Sequence, residues 1–327
     1  MEGSNDFIMN KLIDFSQYDT SINTSYPLVS IVIPCYNDGE YLLEAVNSAL
    51  SQTYQSVEII IIDDASCDET TAYILSLISH PRIAIYRNEK NLHLSGTRNR
   101  GISLSNGKYI LPLDADDMID ESYVQKAVEV IEGNTSIGAV YCRADLFGTQ
   151  SGRWDLPDYS VDYMIMDNIV FASALFLKSD WEKVGGYSEK LKVGLEDYDF
   201  WLSILELDKE IFQIPEVLFY YRKKERSMTT DSLDNLSARQ EAFKQIYLNH
   251  PVFYEKHKER LITKLREALL GSNFHSRRMD NALTVANETI AQLRYEKELM
   301  EQSASWRITR PARFVMGVFR KFCCRRK

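Results

Sequence analysis

At 327 residues, 45% hydrophobic and 26% charged, the chain has the make-up of a soluble globular protein, long enough for one α/β domain of roughly 200–250 residues plus an appendage, or two average domains. No run of about eighteen apolar residues occurs, and a start containing Glu2, Asn5 and Asp6 is not a basic-then-apolar leader, so neither a spanning helix nor a signal peptide is expected. The net charge of −9 is segregated: residues 303–327 hold eight basic residues and no acid, leaving 30 basic against 47 acidic residues elsewhere.

Residues 1–27 show no sustained periodicity and are read as an N-terminal extension ending at Tyr26-Pro27. The pattern changes at Leu28. Val29–Ile33 is a β-branched run closed by Pro34, Asn37-Asp38-Gly39 is turn chemistry, and Leu42, Val46, Ala49 and Leu50 recur at helical spacing. Val57–Ile62 predicts a buried parallel strand, Glu69–Ile78 a helix, Ile83–Tyr86 a strand, Ser95–Leu104 a helix and Tyr109–Leu113 a further strand. Glu121–Ile131 follows as a helix and Gly138–Cys142 as a strand. Residues 151–192 are irregular and aromatic-rich, a helix opens after Gly194, and the chain from Asn235 onward is helical and highly charged. Strands alternating with helices predict a mostly parallel sheet covered on both faces, whose ligands bind outside the carboxyl ends of the strands. The five cysteines, Cys35, Cys67, Cys142, Cys323 and Cys324, follow no zinc-ligand spacing and suit a reducing cytoplasm.

Two acidic groups sit at such strand ends: Asp63-Asp64, and Asp114, Asp116 and Asp117 after the run Leu111-Pro-Leu. Residues two apart on extended backbone project to one side, so Asp114 and Asp116 can face one site. Hard oxygen donors of this kind suit Mg2+ or Mn2+ bridging a phosphate, whereas the plain alternative is a solvated turn or helix cap. Asp63 and Asp64 can accept hydrogen bonds from a nucleobase imide or ribose hydroxyls, or cap the helix that follows.

Taken in order, Val29-Ser-Ile-Val-Ile-Pro-Cys-Tyr-Asn37, Asp63-Asp64-Ala-Ser66, Arg98-Asn-Arg-Gly101, Asp114-Ala-Asp-Asp117 and Glu196-Asp197 with Phe200-Trp201 resemble an inverting family 2 glycosyltransferase of the bacterial cell-surface polysaccharide type. The resemblance covers residues 28–229 and implies the GT-A fold, a Rossmann-like α/β arrangement, as a domain over 28–234. The implied activity is transfer of a sugar, hexosyl or N-acetylhexosaminyl, from a nucleotide-diphosphate donor such as a UDP-sugar to a glycan or glycolipid hydroxyl. On this resemblance Pro34, Tyr36, Asp63, Asp64, Arg98, Asp114 and Asp117 contact the nucleotide-sugar, and Asp116 with Asp114 holds Mn2+ or Mg2+. Asp197 is the general base, with Glu196 beside it. Trp201, four residues on from Asp197, shares its helical face and can stack on an acceptor sugar or pack in the core. The chain departs from the family pattern at His93, where Gly is usual, and at Lys224, where many relatives carry His. Arg222 and Lys224 are therefore candidates to clamp the diphosphate.

Residues 235–302 form a helical extension in which Leu293, Lys297 and Met300 suggest a short stalk. Residues 303–327 mix Arg307, Arg310, Arg313 and Arg320 with Phe314, Val315, Val318 and Phe319, the composition of a helix lying at an anionic membrane surface. The expected location is cytoplasmic, peripheral on the inner face of the cell membrane. No nucleic-acid partner is expected, because the body is acidic. Two other readings stay open: a degenerate relative that binds sugar nucleotide or scaffolds a membrane complex, and a nucleotidyltransferase. The second needs a Gly-rich phosphate loop that Pro34-Cys-Tyr-Asn37 does not provide.

Overall fold

The computed structural model describes residues 15–191, 194–225 and 236–272, with positions 291, 292, 294, 295 and 298. Every element named here belongs to one compact unit, Met1–Leu261; a second begins at Ile262. Within that second unit residues 262–272 are helical, with Ile262, Leu265, Leu269 and Leu270 exposed. The stalk residues Leu293, Lys297 and Met300 and the basic tail 303–327 lie outside the described residues.

The first half of the unit follows the predicted alternation: β1 (Val29–Cys35), α1 (Gly39–Leu50), β2 (Val57–Asp63), α2 (Glu69–Leu77), β3 (Ile83–Arg87), α3 (His93–Leu104) and β4 (Tyr109–Pro112). β1, β2, β3 and β4 pair in parallel in the order β3-β2-β1-β4. All seven residues of β1 are buried, as a strand covered by helices on both faces requires. Asp68 caps α2 by accepting from the Thr71 N–H at 2.6 Å. Gly101 lets α3 lie close on the sheet, since a Cβ there would come within 2.4 Å of Val32 Cγ1. That close approach carries Arg98, one turn earlier on α3, down into the core.

Beyond β4 the sheet becomes mixed. The remaining elements are β5 (Met118–Ile119), α4 (Tyr123–Gly133), β6 (Ile137–Gly148), β7 (Gly152–Arg153), α5 (Val161–Met164), β8 (Leu175–Leu177), α6 (Lys178–Val184), α7 (Glu196–Glu206), β9 (Glu210–Lys223), α8 (Leu236–Asn249) and α9 (Pro251–Lys256). β8 runs antiparallel between β4 and β6, β9 pairs in parallel with β6 and antiparallel with β5, and the whole is a nine-stranded sheet. The sequence pattern assigns no element to β9 and ends β6 at Cys142. The reason is visible in the ladder: the register shifts where Cys142 and Arg143 face Ile214 and Val217, so Pro215 and Glu216 form a bulge that breaks the alternation. The aromatic-rich stretch is fastened to these strands by rings, with Phe171 stacked on Phe219 at 4.4 Å and on Trp154 at 6.1 Å.

The turn between α8 and α9 is pinned to α7. His250, buried, has Nε2 at 3.2 Å from Asp199 Oδ1 and Nδ1 at 3.2 Å from Glu206 Oε2, while Asn249 donates to Asp199 and the Phe253 N–H to Glu206. Burial alone would lower the imidazole's pKa, but the two carboxylates outweigh it and the net direction is upward from 6.5. The stability this contributes is complete below the unfolded value and is lost as pH rises through the raised folded value. Replacing His250 with Ala is expected to cost about 1–3 kcal/mol in urea unfolding at pH 6 and less at pH 9. A cost independent of pH would contradict the charged state assigned to His250.

Candidate active site

The loops after β1 and β2 are tied together before either meets a ligand. Asn37, in the left-handed region at φ 55°, donates its N–H to Ser66 Oγ at 3.0 Å and accepts from the Cys67 N–H at 2.9 Å. Asp63 is buried and internally committed, accepting from the Ser66 N–H and pairing with Arg87. Asp64 lies next to it at the strand end, with Oδ1 accepting from Asn88 Nδ2 at 2.6 Å and the Leu92 N–H at 2.7 Å. Tyr36 is exposed at the mouth of this loop, whereas Pro34 is buried in β1 opposite Ile62.

One guanidinium joins the end of β4 to the start of α7. Arg98 Nη2 bonds Asp114 Oδ1 at 2.7 Å and Nη1 bonds Glu196 Oε1 at 2.7 Å, with the side chain only 1% exposed. Its carbon lies 5.7 Å from the centre of the Tyr187 ring, whose buried hydroxyl has no partner among the described residues. Ahead of α7, Gly194 and Leu195 take φ of 86° and 69°, a turn that Leu seldom adopts. This turn sets Glu196 on Arg98 and Asp197 beside them. Burial, and then the Glu196 charge, push the Asp197 carboxyl up to about 7; Arg98 and the Tyr198 N–H partly oppose the rise. A carboxylate poised there can accept a proton at neutral pH.

The other carboxylates of the β4 end differ in surroundings. Asp116 Oδ2 lies 2.7 Å from Lys224 Nζ, which is also 2.7 Å from Asp38 Oδ1. Burial raises the Asp116 pKa, with Lys224 opposing and Asp114 adding to the rise. Lys224 itself is held above its ordinary range, because Asp116 and Asp38 outweigh the cost of its burial. Asp117 turns inward: it is 2% exposed, accepts from the Arg222 N–H at 2.8 Å, and is driven upward by burial and its two acidic neighbours. Among the described residues no group of three or more His, Cys, Asp or Glu side chains is arranged to hold a metal alone. Asp114 and Asp116, 31% and 18% exposed, instead fit an ion shared with donor phosphates and water, the ordinary mode for Mg2+.

Several expectations are corrected by this geometry. Trp201 is fully buried, donates to the Val170 carbonyl at 3.0 Å and packs on Phe176 and Phe200, so it offers no face to an acceptor sugar. Arg98 spends both terminal nitrogens on carboxylates and acts as an internal tie rather than a fork aimed at pyrophosphate. Asp117 is a strut under Arg222, and Pro34 is part of the sheet. Arg222 is sandwiched between Tyr41 at 4.6 Å and Phe147 at 4.2 Å, bonds the Asp116 carbonyl and pairs with Glu44, so it braces the acidic loop while lining the cleft beside Lys224. His93 is exposed, at φ 61° at the start of α3. Sequence reasoning missed Asp38, Asn88 and Tyr187. Asn88 follows directly on the end of β3, where strand-end logic already pointed, but Asp38 and Tyr187 carry no local signal beyond a turn and a glycine pair.

The glycosyl transferase family 2 model matches residues 30–211, more than half of the chain. An uncharacterized glycosyltransferase of Rickettsia typhi is 30% identical over 227 residues, covering 65% of this chain and 70% of that protein. The chondroitin synthase of Escherichia coli is 31% identical over 186 residues, covering 55% of this chain and 27% of the synthase, so the chain spans about a quarter of that relative's length. In three dimensions the chain is similar to S. aureus TarS solved in complex with UDP-GlcNAc, with a TM-score of 0.56 and 17% identity over 68% of this chain and 66% of that one, a likeness that shows the fold. With its acids at the carboxyl ends of β2 and β4 inside the matched region, the chain belongs to glycosyl transferase family 2 and is a glycosyltransferase of GT-A fold.

Proposed function

We propose that the protein transfers a sugar, with inversion, from a UDP-sugar to a hydroxyl of a lipid-linked or growing glycan in surface-polysaccharide synthesis. The observation that carries this reading is Asp197, a carboxyl whose pKa is pushed up to about 7, next to the Arg98 tie that joins its neighbour Glu196 to Asp114. The UDP-GlcNAc complex of TarS and the relatives named for polysaccharide synthesis support the donor and acceptor classes.

The acceptor hydroxyl is a poor nucleophile until its proton leaves in the transition state. Asp197 takes that proton, and attack from the face opposite the leaving group inverts the anomeric carbon. The Tyr198 N–H holds Asp197 in place, the Glu196 charge keeps its carboxyl basic, and Arg98 offsets part of the negative charge there. At the other end, Asp64 meets the nucleoside, Tyr36 its base, and Asp114 the ribose. Lys224 lies where the leaving diphosphate gains negative charge and supplies a mobile positive counter-charge. A divalent ion, held by Asp116 with Asp114 when bound, would add further positive charge at the same oxygens. The mixture of basic and bulky apolar residues in 303–327 supports a location on an anionic membrane surface, where a lipid-linked acceptor would reside.

The test is release of nucleoside diphosphate from UDP-, GDP- and dTDP-sugars, with Mn2+, Mg2+ or EDTA and a glycolipid acceptor. Turnover confined to a UDP-sugar is the expected result. Failure to bind any of these nucleotides would sink the proposal.

A further inference from the structure

Each carboxyl at the end of β4 already has a partner in the protein: Asp114 the Arg98 guanidinium, Asp117 the Arg222 N–H, and Asp116 the Lys224 ammonium. The three partners differ in how readily they can leave. Arg98 is 1% exposed and fixed by two carboxylates, and the Arg222 N–H is part of β9. Lys224 is 19% exposed, on a flexible stem at the edge of a cleft of about 560 Å3 lined by Asp38, Glu40, Tyr41 and Arg222. Its ammonium is bracketed by Asp116 and Asp38 and lies 5.0 Å from the centre of the Tyr41 ring. A divalent ion reaching Asp116 in the donor-free protein therefore meets an oxygen whose charge is balanced and a second positive charge beside it.

We propose that Lys224 is a resident cation that keeps Asp116 closed to divalent ions until a nucleotide diphosphate draws its ammonium away, so that metal and donor enter together. A diphosphate brings negative charge into the cleft edge where Lys224 can swing toward it without losing compensation. Asp116 is thereby released and would be open to hold a divalent ion together with ligands from outside the protein. The inference rests on the donor-site reading above for its release step, but its first half concerns the donor-free protein alone.

The experiment is calorimetric titration of Mn2+ into the full chain without nucleotide, for the wild type, Lys224→Met, Lys224→Gln and Lys224→Met/Asp116→Asn. The two neutral variants should bind Mn2+ at least about tenfold more tightly than the wild type, and the double variant should lose that gain. Circular dichroism shows which variants are folded, and either neutral variant suffices. Equal affinity in the wild type and a folded neutral variant, including binding by neither, overturns the proposal. UDP should then raise the affinity of the wild type for Mn2+ toward that of Lys224→Met. Tight UDP binding in EDTA with no such rise overturns the release step, whereas no UDP binding at all is a failure of the donor reading instead.

Discussion

Replacing Asp197 with Asn is expected to lower kcat by about 10²- to 10⁴-fold while leaving KM for the donor within a few-fold, because the amide cannot take the acceptor's proton but fills the same space. The wild-type kcat should rise with pH and level off above the value of about 7 to which burial and Glu196 push this carboxyl, since only the ionised form is a base. The Asn variant's residual rate should lack that inflection. Stability should move the other way. A carboxyl whose folded pKa is raised above its ordinary 3.8 binds protons more readily in the native state, so it weakens the fold as pH rises through that window. At pH 8 the Asn variant should therefore melt at a higher temperature than the wild type. Loss of activity together with loss of stability would mark Asp197 as a structural residue and refute the assignment as base.

Replacing Arg98 with Met should destabilise the protein by about 3–5 kcal/mol in urea unfolding, the cost of leaving buried carboxylates without their partner. The tie is buried at its centre and spans two elements 98 residues apart, so nothing local substitutes for it. Arg98→Lys keeps a positive charge but offers one nitrogen group in place of a fork that reaches Asp114 and Glu196 together. It should recover only part of the stability. Arg98 also opposes the upward shift of Asp197, so in any folded variant that loses the fork the kcat–pH inflection should move to higher pH. A change in urea stability below about 1 kcal/mol in Arg98→Met would show that the tie is dispensable.

Much of the architecture was open to inspection in one dimension. β1, α1, β2, α2, β3, α3 and β4 declare themselves through β-branched runs and 3.6-residue spacing, which are local properties of neighbouring side chains. The strand-end position of Asp63, Asp64, Asp114, Asp116 and Asp117 followed from that pattern, and with it the side of the sheet that carries the site. β9 escaped because its bulge at Pro215 and Glu216 breaks the alternation on which a strand is recognised. Trp201 shows the limit from another side: helical spacing puts it on the face of Asp197, but only the packing of α7 against Phe176 and Val170 decides that this face is interior at that depth. The same holds for the charges. That acids gather at the ends of β2 and β4 is written in the order of residues. Which of them is a strut and which is closed by a lysine depends on partners from the far end of β9: Arg222, 105 residues from Asp117, and Lys224, which pairs with Asp116. Such partners are chosen by the closing of the sheet, because an ion pair needs contact within a few ångströms, and no local spacing rule carries that information.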